Sequence, residues 1–218
     1  MRQALLSSTY FGPVQWFAKL HRYDRCVIEH CDNFVKQTYR NRCIIAAADG
    51  PQTLSIPVEH GNGEHQAMRD VRISNHGSWR HLHWNAIVAA YGETPFFDYY
   101  ADDIRPFYER EWTFLFDFDL ETTLTACRLL DIRPTIEISS CYDKGPFASH
   151  CALSGGAKEP QTSTIDLREA IRPKHPADDD EFAPRPYYQV RARKYGFLPN
   201  MSVLDLLFNM GPEGIFYL

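Results

Sequence analysis

Apolar positions recur along the chain in short runs whose period changes, and those changes divide it into elements. Ala4-Leu5-Leu6-Ser7-Ser8-Thr9 has strand length, apolar at first and hydroxylated at its end. Gly12-Pro13 then predicts a helix start, because proline's fixed φ and missing N–H suit the first helical position. Val14, Phe17 and Leu20, with Trp16 and Tyr23 beside them, recur at helical spacing. Cys26-Val27-Ile28-Glu29-His30 is a second strand-length run. Strand, helix, strand predicts a βαβ unit with parallel strands and a right-handed crossover. Ligands in such folds bind beyond the C-terminal ends of the strands. Ser8, Thr9, Tyr10 and the start of the Pro13 helix therefore belong near a site, and free N–H groups at that helix start would favour an anion.

The run Ile44 to Ala48, then Asp49-Gly50-Pro51, then Leu54-Ser55-Ile56-Pro57-Val58 predicts a β-hairpin turning on Asp-Gly. Pro57 confines the second strand to an edge or marks its end. Further on, His83 to Tyr91 predicts a helix closed by Gly92, with His81 ahead of it and His83 in its first turn. Ile104 to Trp112 and Leu120 to Leu130 carry helical periodicity, and Thr135-Ile136-Glu137-Ile138-Ser139 reads as a strand. Ser154 to Lys158 reads as a loop, and Pro173 to Asp180 as an exposed, mobile, acidic one. Ser202-Val203-Leu204-Asp205 fits a capping box, flanked by Met201 and Leu206, and Gly211-Pro212 stops that helix. Asn200 and Asn209 are candidate structural amides tying this tail to the body of the fold. The fold class is therefore α/β: a mixed sheet built on an N-terminal βαβ unit with a β-hairpin, then a mainly helical second half. One domain over 1–218 is expected, sheet-rich over 1–75 and helical over 76–218, with the acidic proline-rich loop near 173–186.

Composition narrows the partners. A chain of 218 residues with 44% hydrophobic content can bury a sizeable core. A net charge of -5 argues against a nucleic-acid partner, so any basic site must be a local pocket. No window reaches the roughly twenty apolar residues of a membrane span. No leader precedes the first strand-like run, so a cytoplasmic protein is expected. The six cysteines contain no C-x-x-C pair, which leaves a thiolate zinc site without support and suggests reduced thiols.

Two clusters carry candidate chemistry. In Lys36-Gln37-Thr38-Tyr39-Arg40-Asn41-Arg42, an extended backbone would project Lys36, Thr38, Arg40 and Arg42 to one side. Stacked like charges call for solvent or for an anion among them, so the run is either a solvated strand entrance or an anion site. Acids such as Glu29, Asp32 or Asp70 could also pair with these cations. The second cluster is His60, His65, His76, His81 and His83. A metal site, a catalytic or ligand-binding imidazole, and plain structural or surface roles are all open to it. No metal is assigned, and His83 and His81 are the candidate catalytic bases. Tyr10 and Trp84 complete the candidate substrate-binding set. Pro95-Phe96-Phe97-Asp98-Tyr99-Tyr100 is an aromatic cluster that fits a core better than a sugar platform. No G-x-G-x-x-G, P-loop or G-x-S-x-G is present, so the cofactor is unknown.

Lys36 to Arg42, His83-Trp84, Pro95-Phe96-Phe97 and Phe197 to Gly211, taken together and in this order, resemble the WbqC-like family. The resemblance spans nearly the whole chain, with Met201 and Val203 standing where other aliphatics are expected. It implies a bacterial protein associated with surface-polysaccharide (O-antigen) biosynthesis, a setting in which some members are described as transferases acting on amino groups. It carries over no catalytic residues. The expected function is a transferase moving an acyl or aminoacyl group onto an amine, with an anionic small-molecule substrate or donor. A non-catalytic binding or assembly protein of such a pathway is the alternative, and a homodimer is left open.

Overall fold

The computed structural model describes residues 1–59, 66–142 and 163–218. The predicted βαβ unit is formed by β1 (Arg2–Ser7), α1 (Val14–Arg22) and β2 (Arg25–Glu29), with Leu6 opposite Ile28 in a parallel register. Ala4, Leu5 and Leu6 are all buried, as expected for a central parallel strand covered on both faces. The hairpin follows as β3 (Arg42–Ala47) and β4 (Gly50–Ser55), antiparallel, with Ala47 opposite Gly50. Gly50 turns the chain at φ +108°, which a side chain would strain.

Helices occupy the next stretch: α2 (Trp79–Tyr91), α3 (Phe97–Ile104), α4 (Pro106–Glu109) and α5 (Leu115–Leu129). Two short strands then return to the first sheet, β5 (Ile136–Ile138) and β6 (Ser163–Asp166). That sheet has the order β5-β2-β1-β6, every pairing parallel, while the hairpin forms a separate two-stranded sheet. Parallel and antiparallel pairings are thus both present, split between two sheets. Next come α6 (Ala192–Tyr195) and α7 (Val203–Met210), and a 3-10 turn over Gly211–Tyr217 follows them. No helix among the described residues is long and apolar enough to cross a membrane.

Several local expectations need correction. Residues 36–41 are not extended: Gln37 sits at φ 66°, which breaks the alternation, and β3 begins only at Arg42. The four side chains therefore do not form a one-sided ladder. Helix α2 starts at Trp79, so His81 and His83 both lie inside it, and their i, i+2 spacing sends them apart. His83 is buried and His81 exposed. The aromatic cluster enters α3, where Phe97 and Tyr100 are buried and Tyr99 is exposed. The loop expected at 154–158, together with His60, His65 and Cys151, lies outside the described residues.

The start of α1 is not open to an anion. Val14 N–H donates to Met201 O at 3.0 Å and Gln15 N–H to Asn200 Oδ1 at 2.9 Å. Asn200 holds that position with a left-handed φ of 54°, and Ser202 caps α7 by accepting from Leu204 N–H. The two residues leading into the cap of one helix thereby satisfy the free donors of another. Only half of the predicted capping box forms, because the Asp205 carboxyl is taken by Tyr187 and Gln189. The acidic segment after Pro173 is mostly exposed, but its acids serve as anchors. Asp179 accepts from Gln15 and from the buried Lys19, each at 2.7 Å, and Glu181 accepts from Tyr23 at 2.8 Å.

Candidate functional site

Beyond the C-terminal end of β1 the hydroxylated run Ser7-Ser8-Thr9 lines a narrow cleft. Thr38, Tyr39 and Arg40 form one wall, and Leu167, Arg168, Ile171 and Arg172, from just after β6, form the other. The cleft lies where a parallel sheet offers strand ends to a ligand, at the position named from the sequence. Its enclosed part holds about 10 Å³, the space of a single water.

Each arginine has a carboxylate partner. Arg40 Nη2 bonds Asp32 and also donates to Ser7 Oγ at 2.9 Å. Arg168 pairs with Asp166 at 2.6 Å and lies 3.6 Å from the fully buried Glu29. Arg172 pairs with Glu169. Glu29 in turn accepts from Ser139 Oγ at 2.5 Å and from Cys31 N–H at 2.8 Å, knitting the ends of β2 and β5 together.

Not every donor is used. The Nε atoms of Arg40 and Arg172 and the hydroxyl of Thr9 are buried without hydrogen-bond partners. All three residues line this cleft. A buried donor left unmade costs on the order of 1–3 kcal/mol. Arg25, Arg42, Arg80 and Arg191 also carry unpartnered Nε atoms, but among the described residues only in this cleft do such donors gather in one lining. Gly12 keeps the space beside Thr9: a Cβ there would stand 2.4 Å from Thr9 Oγ1.

A carboxyl lies behind the cleft. Asp119, on α5, is wholly buried and accepts from Ser8 Oγ at 2.8 Å, while its other oxygen has no partner. Burial pushes this carboxyl well above the usual range, against the pull of the Ser8 hydrogen bond and the Arg40 charge. Burial also raises Asp32, with Arg40 opposing.

The candidates from the sequence divide accordingly. Thr38 and Arg40 line the cleft, Lys36 is exposed on the same loop, and Arg42 is half-buried at the start of β3 without lining it. Tyr10, His83 and Trp84 lie elsewhere, in the core under α2. Tyr10 Oη is 2.8 Å from Tyr108 Oη and 3.0 Å from His83 Nδ1. With Nδ1 at the Tyr10 hydroxyl, this chain is satisfied with a neutral imidazole. Burial lowers His83 to about 4. Trp84 stacks on Phe97 at 6.1 Å. His81 is exposed and bonds Asn85 at 2.9 Å. Among the described residues no group of three His, Cys, Asp or Glu side chains could hold a metal ion.

Sequence reading missed Ser7, Arg168, Arg172 and Asp119. Two signals were present: arginines four apart just after the strand-like Ser163-Thr164-Ile165-Asp166, and an acid inside Phe116-Asp117-Phe118-Asp119-Leu120.

Comparison with known proteins covers this same stretch. An uncharacterized protein of Mycobacterium tuberculosis is 26% identical over 223 aligned residues, spanning 99% of this chain and 96% of the relative. No solved structure matches. The model of the WbqC-like protein family matches residues 7–167, a stretch that begins and ends on the cleft-lining Ser7 and Leu167. With most of its length inside that match, the chain belongs to the WbqC-like protein family.

Proposed function

We propose that the protein is a biosynthetic transferase that holds an anionic donor in the cleft beyond β1 and moves an acyl or aminoacyl group onto an amine, such as an amino sugar of a bacterial surface polysaccharide. One observation carries this reading. Three buried donors without partners, Thr9 Oγ1, Arg40 Nε and Arg172 Nε, line one cleft at the carboxyl ends of parallel strands. Arginine Nε–H groups suit carboxylate and phosphate oxygens. The walls come from residues 7–40 and 167–172, which supports one working unit over 1–218.

The base assignment moves from His83 and His81 to Asp119. Neither histidine lines the cleft, whereas Asp119 reaches it through the Ser8 hydroxyl. Burial raises this carboxyl well above the usual range, which makes its carboxylate a stronger proton acceptor than an exposed one. As the acceptor nitrogen bonds to the donor carbonyl, its proton passes to Ser8 Oγ and the Ser8 proton to Asp119. The leaving group departs with the electron pair of the broken bond.

The second reading, a non-catalytic binding protein, draws on the small enclosed volume. A thermal-shift screen with acyl-CoA thioesters, nucleotide-sugars and nucleotides, run on wild type, Thr9→Val and Arg172→Gln, tests the site. A ligand at a hundred times its Kd adds about 2.7 kcal/mol to wild type, and the variants should show a smaller response. If no compound stabilises wild type, or all three proteins respond alike, the site is wrong. A stabilising donor that yields no transfer product by mass spectrometry, with an amino sugar present, favours the binding protein.

A further inference from the structure

The charges around the cleft differ with depth. Deep in it, the three arginines are matched by Asp32, Asp166, Glu29 and Glu169, so what remains on offer is directional donors with little surplus charge. At the mouth the situation reverses. Lys36 is exposed two residues before Thr38, and Lys174 is exposed two residues after Arg172, so each stands next along the chain to one wall without lining the enclosed part. The walls meet there: Lys174 Nζ donates to Gln37 Oε1 at 3.4 Å. Gln37 reaches across from a left-handed backbone, φ 66°, between Lys36 and Thr38. Among the described residues neither lysine forms an ion pair.

We infer that the donor is a phosphorylated molecule, bound with its phosphates at the mouth on Lys36 and Lys174 and its transferable carbonyl end inward, toward Thr9, Arg40 Nε and Arg172 Nε. This rests on the transferase reading of the same cleft and adds which end of the donor enters first. A phosphate carries up to two charges and brings several acceptor oxygens. Its dianion needs cations not already neutralised, and an ammonium on a flexible stem supplies them as point charges. The inner donors suit an acceptor of little charge, such as a carbonyl or a single carboxylate, because a polyphosphate there would face four acids. Exposure of the lysines also makes this outer contact sensitive to salt, while the buried inner contact is screened much less.

Three simple probes separate the two levels: inorganic pyrophosphate for the mouth, acetate for the interior, and inorganic phosphate at equal ionic strength. Binding is followed by thermal shift and by amide chemical shifts, on wild type, on Lys36→Ala/Lys174→Ala and on Thr9→Val. Pyrophosphate should stabilise wild type more than phosphate. The double lysine variant should bind pyrophosphate roughly tenfold or more weakly, a loss of about 1.4 kcal/mol. It should respond to acetate as wild type does. Raising the salt from about 0.05 to 0.5 M should abolish the pyrophosphate response first, as its exposed contacts are screened. Thr9→Val should lose the acetate response and keep the pyrophosphate one. If pyrophosphate binds the double variant as it binds wild type, the phosphate position is overturned and the cleft as an anion site stands. If neither pyrophosphate nor acetate shifts wild type, the orientation and the cleft reading fail together.

Discussion

The tripeptide Ser8-Thr9-Tyr10 sends its side chains into two buried polar regions that differ in one respect. Tyr10 enters the core under α2, where Tyr108, Tyr10 and His83 form a hydrogen-bonded chain with no buried side-chain atom left unpartnered. Ser8 and Thr9 face the cleft and its backing, where two aspartate oxygens (Asp32 and Asp119), two arginine nitrogens and a threonine hydroxyl are buried without partners. The first region is neutral and saturated, and its polar groups hold packed aromatic rings in place. The second is charged and incomplete. Unpartnered buried arginine nitrogens also occur outside the cleft, at Arg25, Arg42, Arg80 and Arg191, so what sets the second region apart is that its open groups share one cleft at the strand ends, on which the proposed function rests.

Removing one partner of a charged pair should hurt most. Arg40→Ala leaves Asp32 buried and alone, and it should lower stability by about 3–5 kcal/mol in urea unfolding. Arg40→Ala/Asp32→Ala should recover part of that loss. A loss under about 1 kcal/mol would mean that the pair is far better solvated than its burial implies.

The histidine region should announce itself through pH. His83 titrates near 4 in the fold and near 6.5 in a model compound, so between those values the unfolded chain holds more protons. Stability from keeping this ring neutral is present above about 6.5 and is lost as pH falls toward about 4. The full loss is on the order of 3 kcal/mol, since each pKa unit is worth about 1.4 kcal/mol. His83→Gln should flatten that part of the stability profile without altering ligand response in the cleft. Asp119 has the opposite sign. Its raised pKa gives stability that is present below the unfolded carboxylate pKa and lost as pH rises toward the raised folded one. Asp119→Asn should therefore become relatively more stable toward neutral pH, and a variant that tracks wild type at every pH would remove the carboxyl from the cleft's chemistry.

Smaller effects probe the cleft's frame. Gly12→Ala drives a methyl toward Thr9 Oγ1 and should cost about 1–3 kcal/mol, as overpacking does. In Gly12→Ala/Thr9→Ala most of that cost should vanish, which a double-mutant cycle measures. At the mouth, Gln37→Gly relieves a left-handed residue and should gain up to about 1 kcal/mol, provided its contact with Lys174 contributes little. A net loss instead would give the Lys174–Gln37 contact a larger part in closing the two walls.

What could be read from the sequence follows the range of the interactions. The βαβ unit, the Asp-Gly hairpin and the Ser202 cap are written in residues a few positions apart, and all three form. Strand β6 pairs with β1 across more than half the chain, Arg2 opposite Ser163, and its residues are mostly exposed, so no apolar period announced it. Without β6 the positions of Arg168 and Arg172 could not be inferred. The cationic run was half legible. Thr38 and Arg40 line the cleft, but Gln37's left-handed turn, invisible in a count of alternate positions, sets Lys36 apart, and Arg42 belongs to β3. The surroundings of His83 were illegible for a related reason: its burial among Tyr10, Trp79 and Tyr108 comes from elements distant in sequence.

Arginine Nε–H resonances give the most direct view of the incomplete region. Acetate and pyrophosphate would be titrated into nitrogen-15-labelled protein, with the signals of Arg40 and Arg172 compared with those of Arg2 and Arg22. If the cleft is the site, the Arg40 and Arg172 signals move together and saturate, while the other two stay in place. Arg40 and Arg172 signals that remain fixed while anions bind elsewhere, or that move no more than those of Arg2, would contradict it.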